Sequence, residues 1–168
     1  VLYPAAKRVF PIPQLVLSIA WGFAVLISWS AVSCSANPAP TPCLGTPTWL
    51  LWGATILWTL GFDTVYAMSD REDDRRIGVK SSALFFGKFA PHAIGAFYVG
   101  TIVILAKLGV VMSLNWAYWI ALGVSAIAWA WQYYKLAQPS IPTPFYQQSF
   151  RQNVWIGFIL LAGMIAGV

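Results

Sequence analysis

The chain has 168 residues, enough for one domain, and is 59% hydrophobic and only 9% charged. An ordinary soluble domain carries about 25% charged residues, so this composition excludes a water-exposed globular surface. The net charge of +5 does not point to nucleic acid, because no basic and aromatic groove pattern accompanies it; in an apolar chain, basic residues mark cytoplasmic loops.

The opening VLYPAAKRVF is polar and lacks the features of a signal peptide. It reads as a loop between helices, and the chain is expected to be a piece of a longer protein. Apolar spans follow at about 13–32, 48–68, 91–111, 115–134 and 153–168, each near the roughly 20 residues that cross a bilayer. All are expected to be helical, since open backbone cannot be satisfied in lipid. The fold class is therefore an all-α membrane protein with five transmembrane helices.

The loop 33–47 contains Cys34 and Cys43 and no charge. Nine residues of separation are compatible with a disulfide or with two free thiols. Two cysteines without a histidine nearby make a poor metal site. Nine of the ten basic residues fall in the segments 1–12, 69–90 and 135–152, and only Lys107 departs from the pattern. The positive-inside rule places those three segments in the cytoplasm. The tryptophans near span ends, such as Trp21, Trp49 and Trp155, suit the headgroup zone. His92 reads as an interface or capping residue.

All five acidic residues, Asp63, Asp70, Glu72, Asp73 and Asp74, lie within twelve positions at the end of the second span. On one continuous helix, Asp63, Asp70 and Asp74 would form a stripe about 40° wide, with Glu72 opposite. Stacked like charges repel, so the stripe calls for a cation. Oxygen ligands without His or Cys suit Mg²⁺, which is held by one or two carboxylates together with substrate phosphates. A lipid diphosphate fits, with its head at the metal and its tail in the bilayer. Lys7, Arg8 and Lys80 could add charge to the same oxygens. A solvated, charged loop explains Glu72 and Asp73 well. It explains Asp63 poorly, because an ionisable residue inside an apolar span is costly.

The stretch DTVYAMSDREDDRRIGVKSSALFFG, Asp63 to Gly87, resembles the second aspartate-rich motif of the UbiA superfamily of intramembrane prenyltransferases. Its wording is most similar to the 4-hydroxybenzoate polyprenyltransferase branch. YPAAK, Tyr3 to Lys7, looks like the family's Y-x-x-x-K element, and Pro13 and Gln14 match a following pair. The resemblance implies that Asp70 and Asp74 hold Mg²⁺ on a polyprenyl diphosphate. It implies that Asp63 is a further catalytic acid, and that Tyr3, Lys7, Arg8 and Lys80 bind substrate. It also implies that residues 1–168 are the C-terminal part of a single prenyltransferase domain, the second half of a nine-helix bundle. The family's first motif, N-D-x-x-D-x-x-x-D, is not in this sequence, so this piece alone is expected to be inactive.

The implied reaction is Mg²⁺-dependent electrophilic substitution on the ring of 4-hydroxybenzoate, leading to ubiquinone or plastoquinone. It would run in a bacterial-type inner or thylakoid membrane, with the acidic motif on the cytoplasmic side and the lipid bilayer as its medium. Two alternatives remain: a sister enzyme with another acceptor such as homogentisate, and a non-catalytic subunit that binds quinone or lipid.

Overall fold

The computed structural model describes residues 8–36 and 43–168. Among them every regular element is a helix. Five are long: α1 (Pro13–Ala36), α2 (Thr46–Ser69), α5 (Ala90–Val111), α6 (Trp116–Leu136) and α7 (Thr143–Gly167). Between α2 and α5 lie the short helices α3 (Arg71–Ile77) and α4 (Ser82–Phe86) and a 3₁₀ turn, Gly87–Phe89. Helix starts follow local chemistry. Prolines stand in the first turns of α2, α5 and α7, where a missing N–H costs nothing. Asn115 caps α6 by accepting from the Ala117 N–H at 2.8 Å.

The five long helices coincide with the five expected spans, with one clear displacement. The last helix begins at Thr143, ten residues before the apolar run, so the expected cytoplasmic segment 135–152 is largely helical. The segment 69–90 likewise folds into short helices rather than a loop. By length and hydropathy, three described segments can cross a membrane: Pro13–Cys34, Ser82–Val111 and Thr143–Gly167. The expected five spans add α2 and α6 to these. Both are long enough, but they bury polar side chains, Thr48, Thr59 and Thr64 on α2 and Ser125 and Gln132 on α6. Those groups lower their hydropathy while facing the bundle.

Helix α2 packs against α1, α5 and α7, and α6 lies between α5 and α7, so α2, α5, α6 and α7 close a ring. Inside it are Tyr98, Trp129, Ile94 and Ile156. A polar knot ties the four helices together. Asn153 Oδ1 accepts from Trp58 Nε1 at 2.8 Å and from Trp129 Nε1 at 3.1 Å. Gln132 Oε1 accepts from Tyr98 OH, Ser149 Oγ and Asn153 Nδ2 at 3.2, 3.0 and 3.1 Å. Buried polar groups are tolerated when paired in this way.

The outside is apolar. Trp21, Phe23 and Ile27 on α1, Val99 and Val103 on α5, and Phe158 and Ile165 on α7 are exposed. Apolar surface of this extent marks a membrane-facing protein. At the end of α1, Cys34 and Cys43 form a disulfide with Cα atoms 5.2 Å apart, which settles the question the spacing left open.

Candidate functional site

Helix α2 carries the acids to one end of the bundle. Asp63 sits on its final two turns and is half-buried. The helix does not run straight through the acidic stretch. It stops at Asp70, whose φ of −98° and ψ of 6° interrupt it, and α3 starts at Arg71. The angular count made on one continuous helix therefore does not carry past Ser69. Across the break, the Asp74 N–H still donates to the Asp70 carbonyl at 2.8 Å, which keeps these two residues one turn apart. Among the described residues, no three His, Cys, Asp or Glu side chains gather into a metal-holding group. The structure therefore pairs Asp70 with Asp74 but does not unite all three acids as one cluster.

The environments of Asp70 and Asp74 differ. Asp70 is exposed and accepts from the Ser69 hydroxyl at 3.0 Å. Asp74 is buried, with 8% of its surface exposed. Its main chain is used fully: the carbonyl accepts from the N–H groups of Gly78 and Val79. Gly78, in the left-handed conformation at φ 72°, ends α3 and turns the chain back over the site. Glu72 and Asp73 are exposed, as expected of solvated charges.

The expected binding residues divide. Tyr3 and Lys7 lie outside the described residues. Arg8 is exposed at the start of the described chain. Lys80 donates to the carbonyl of Val9 at 2.8 Å, which brings Lys80 beside Arg8. Lys80 was expected on phosphate; in this structure its ammonium tethers the segment before α1.

Two residues of this region had no role in the sequence reading. Ser82, fully buried, donates its N–H to Gln14 Oε1 at 2.8 Å and its hydroxyl to Thr64 Oγ1 at 2.9 Å. Thr64 in turn donates to the Leu60 carbonyl. This chain of bonds locks α1 and α4 onto α2 immediately beside Asp63. The only signal for it was the Pro13–Gln14 pair. Arg71, at the start of α3, has a buried Nε with no hydrogen bond among the described residues.

The acids stand at one end of an apolar, all-helical bundle. The UbiA prenyltransferase family pattern matches residues 1–157, and the chain belongs to that family and is an integral membrane protein. It is 59% identical to the 4-hydroxybenzoate solanesyltransferase of Synechocystis sp., over 99% of this chain and 54% of that protein. It is 36% identical to the 4-hydroxybenzoate octaprenyltransferase of Neisseria meningitidis serogroup B, over 98% of this chain and 52% of that one. The chain thus spans about half the length of these relatives. The apo structure of a UbiA homolog from Aeropyrum pernix K1 superposes with a TM-score of 0.81 at 26% identity, over 97% of this chain and 58% of that one.

Proposed function

We propose that the intact protein transfers a polyprenyl chain from polyprenyl diphosphate to the ring of 4-hydroxybenzoate, in the synthesis of ubiquinone or plastoquinone. The observation that carries this reading is the pair Asp70 and Asp74, held one turn apart by the Asp74 N–H bond to the Asp70 carbonyl, with the Asp74 side chain largely buried. Like charges one turn apart repel, and a cation between them relieves this. Two carboxylates and open positions for phosphate and water suit Mg²⁺, so Asp70 and Asp74 fit as its ligands. Bound there, the metal would supply positive charge to the diphosphate oxygens.

In the transfer, the bond between the prenyl carbon and the diphosphate oxygen breaks, and the electron pair leaves with diphosphate. A new bond forms to the ring carbon ortho to the hydroxyl, and the ring then loses a proton. Asp63, deeper along α2, faces the acceptor side of this site. Arg8 and Lys80, with Tyr3 and Lys7, serve the diphosphate, which requires Lys80 to exchange its bond to Val9 for one to phosphate. The apolar walls keep water from the electron-poor prenyl carbon.

In this reading all five long helices span the bilayer, as the second half of a nine-helix bundle in which residues 1–168 form the C-terminal part of one domain. The half-length match to the relatives supports that division. The acidic end faces the cytoplasm of a bacterial-type inner or thylakoid membrane. Two independent features support this orientation: the basic residues cluster at that end, and the disulfide closes the opposite one, as suits an oxidising compartment.

The test is transfer from labelled polyprenyl diphosphate by the intact protein in membranes, against a panel of 4-hydroxybenzoate and homogentisate, with Mg²⁺ or with chelator. Prenylated 4-hydroxybenzoate formed only with the metal is the expected result. A preference for homogentisate would move the protein to a sister activity, and no transfer to any acceptor would make it a binding subunit.

A further inference from the structure

Helices α5 and α6 are neighbours in the ring, and a groove of about 330 Å³ opens between them. Its cause is side-chain size. Gly95 and Ala96 on α5 face Ala126 and Ala130 on α6, and the buried rings of Tyr98 and Trp129, stacked at 5.4 Å, form its floor. Ala96, Val99 and Ala130 are exposed, so the groove opens outward, away from the ring interior that holds the polar knot. Its size falls within the range of ordinary ligand sites.

The groove has a direction. From His92 to Ile102 it covers ten residues of α5, about 15 Å, which is half of the roughly 30 Å hydrocarbon core. Its walls are apolar along that length. At the end where α5 begins, His92 Nδ1 and Tyr133 OH are 3.1 Å apart. A Cβ on Gly95 would meet the Tyr133 ring at 2.8 Å, so the glycine is what lets that ring close the mouth. Lys88, exposed and four residues before His92, stands at the same end. No acidic residue occurs between Phe89 and Val168, so the mouth is positive.

We infer that this groove binds one acyl chain of an anionic glycerophospholipid from the adjacent leaflet, with the phosphate at Lys88, His92 and Tyr133. The length matches a single leaflet, the walls match an alkyl chain, and the charge at the mouth matches the headgroup. Such a lipid would fill the gap between α5 and α6 without touching the acidic end of α2. The inference rests on membrane residence and not on prenyl transfer.

The test is native mass spectrometry of the intact protein, titrated with phosphatidylglycerol and with phosphatidylcholine of the same chains. One phosphatidylglycerol should be retained, at least about fivefold more tightly than phosphatidylcholine, the preference one lysine near a headgroup supplies. Ala96→Phe and Ala130→Phe, both at exposed positions clear of the core, should each abolish retention by filling the groove. Ile165→Phe, exposed on α7 and outside it, should not. Lys88→Gln should erase the preference between headgroups. Retention unchanged in both filling variants would overturn the site, and equal binding of the two lipids by the unmodified protein would overturn the anionic headgroup. Since the readout is binding, failure of the prenyl-transfer reading leaves these results interpretable.

Discussion

Trp58 and Asn153, 95 residues apart in the chain, are joined by a 2.8 Å hydrogen bond between the indole N–H and the amide oxygen. The same oxygen takes the Trp129 N–H, and the amide nitrogen donates to Gln132 Oε1. One side chain thereby couples α2, which carries the acids, to α6 and α7. Interhelical hydrogen bonds inside membrane proteins average about 0.6 kcal/mol each. Asn153→Leu removes three of them and leaves two indole donors buried, so it should cost about 2 kcal/mol or more. Unfolding of the reconstituted protein in a graded denaturing detergent measures this. An unchanged midpoint would show that the knot contributes nothing to holding the helices.

The contact between α6 and α7 relies on small residues. A Cβ at Gly163 would overlap the Cβ of Ala121 and approach the Ala117 carbonyl at 3.6 Å. The obstruction is a first side-chain carbon, which cannot rotate away. Gly163→Ala should therefore destabilise by about 1–3 kcal/mol, the range for overpacking, read as a lower thermal midpoint. Gly123→Ala on α6 is the control, because nothing lies within 4 Å of its Cβ position.

The positions of the long helices were legible because hydrocarbon demands long apolar runs, and α5 was expected at 91–111 and observed at Ala90–Val111. The start of α7 was not legible. TPFYQQSFRQN reads as a polar loop, yet Ser149, Gln152 and Asn153 are polar because they bond to Gln132 and the tryptophans inside the ring. A polar residue satisfied within a bundle looks, in one sequence, like a polar residue in water. The acids were legible as a cluster, but the break at Asp70 was not, since no proline or glycine marks it. Nothing in the sequence marks Trp58 and Trp129 as donors, because that role depends on partners remote in the chain. The disulfide could not be decided from spacing alone.

Cys34 and Cys43 close a short loop between α1 and α2, and α2 has 24 residues, so the bridge lies about 35 Å from Asp70 along the helix. Cys34→Ser should lower stability by about 2–3 kcal/mol, the scale for a loop this short. It should leave the metal dependence and turnover of the intact protein unchanged at a temperature where it remains folded. Gel mobility of a maleimide-treated sample, with and without reductant, reports the bridge directly. Reaction of both thiols without reductant would remove the support the bridge gives to the orientation.

Asp70 and Asp74 share one turn but not one environment, and that difference makes their variants distinguishable. Asp74 is largely buried, whereas Asp70 is exposed and already holds the Ser69 hydroxyl. If both bind Mg²⁺, either Asn variant of the intact protein should lose on the order of 100-fold or more in turnover, as expected when charge stabilisation worth several kcal/mol is weakened. Asp70→Asn alters a solvated group, so its fold should be untouched and its loss partly recovered at higher Mg²⁺. Asp74→Asn keeps the size of a largely buried side chain, so its thermal midpoint in chelator should stay close to that of the unmodified protein. Glu72→Gln, at an exposed position, should change neither property. Full turnover with unaltered metal dependence in both Asp variants would sink the assignment of this pair as the metal's ligands.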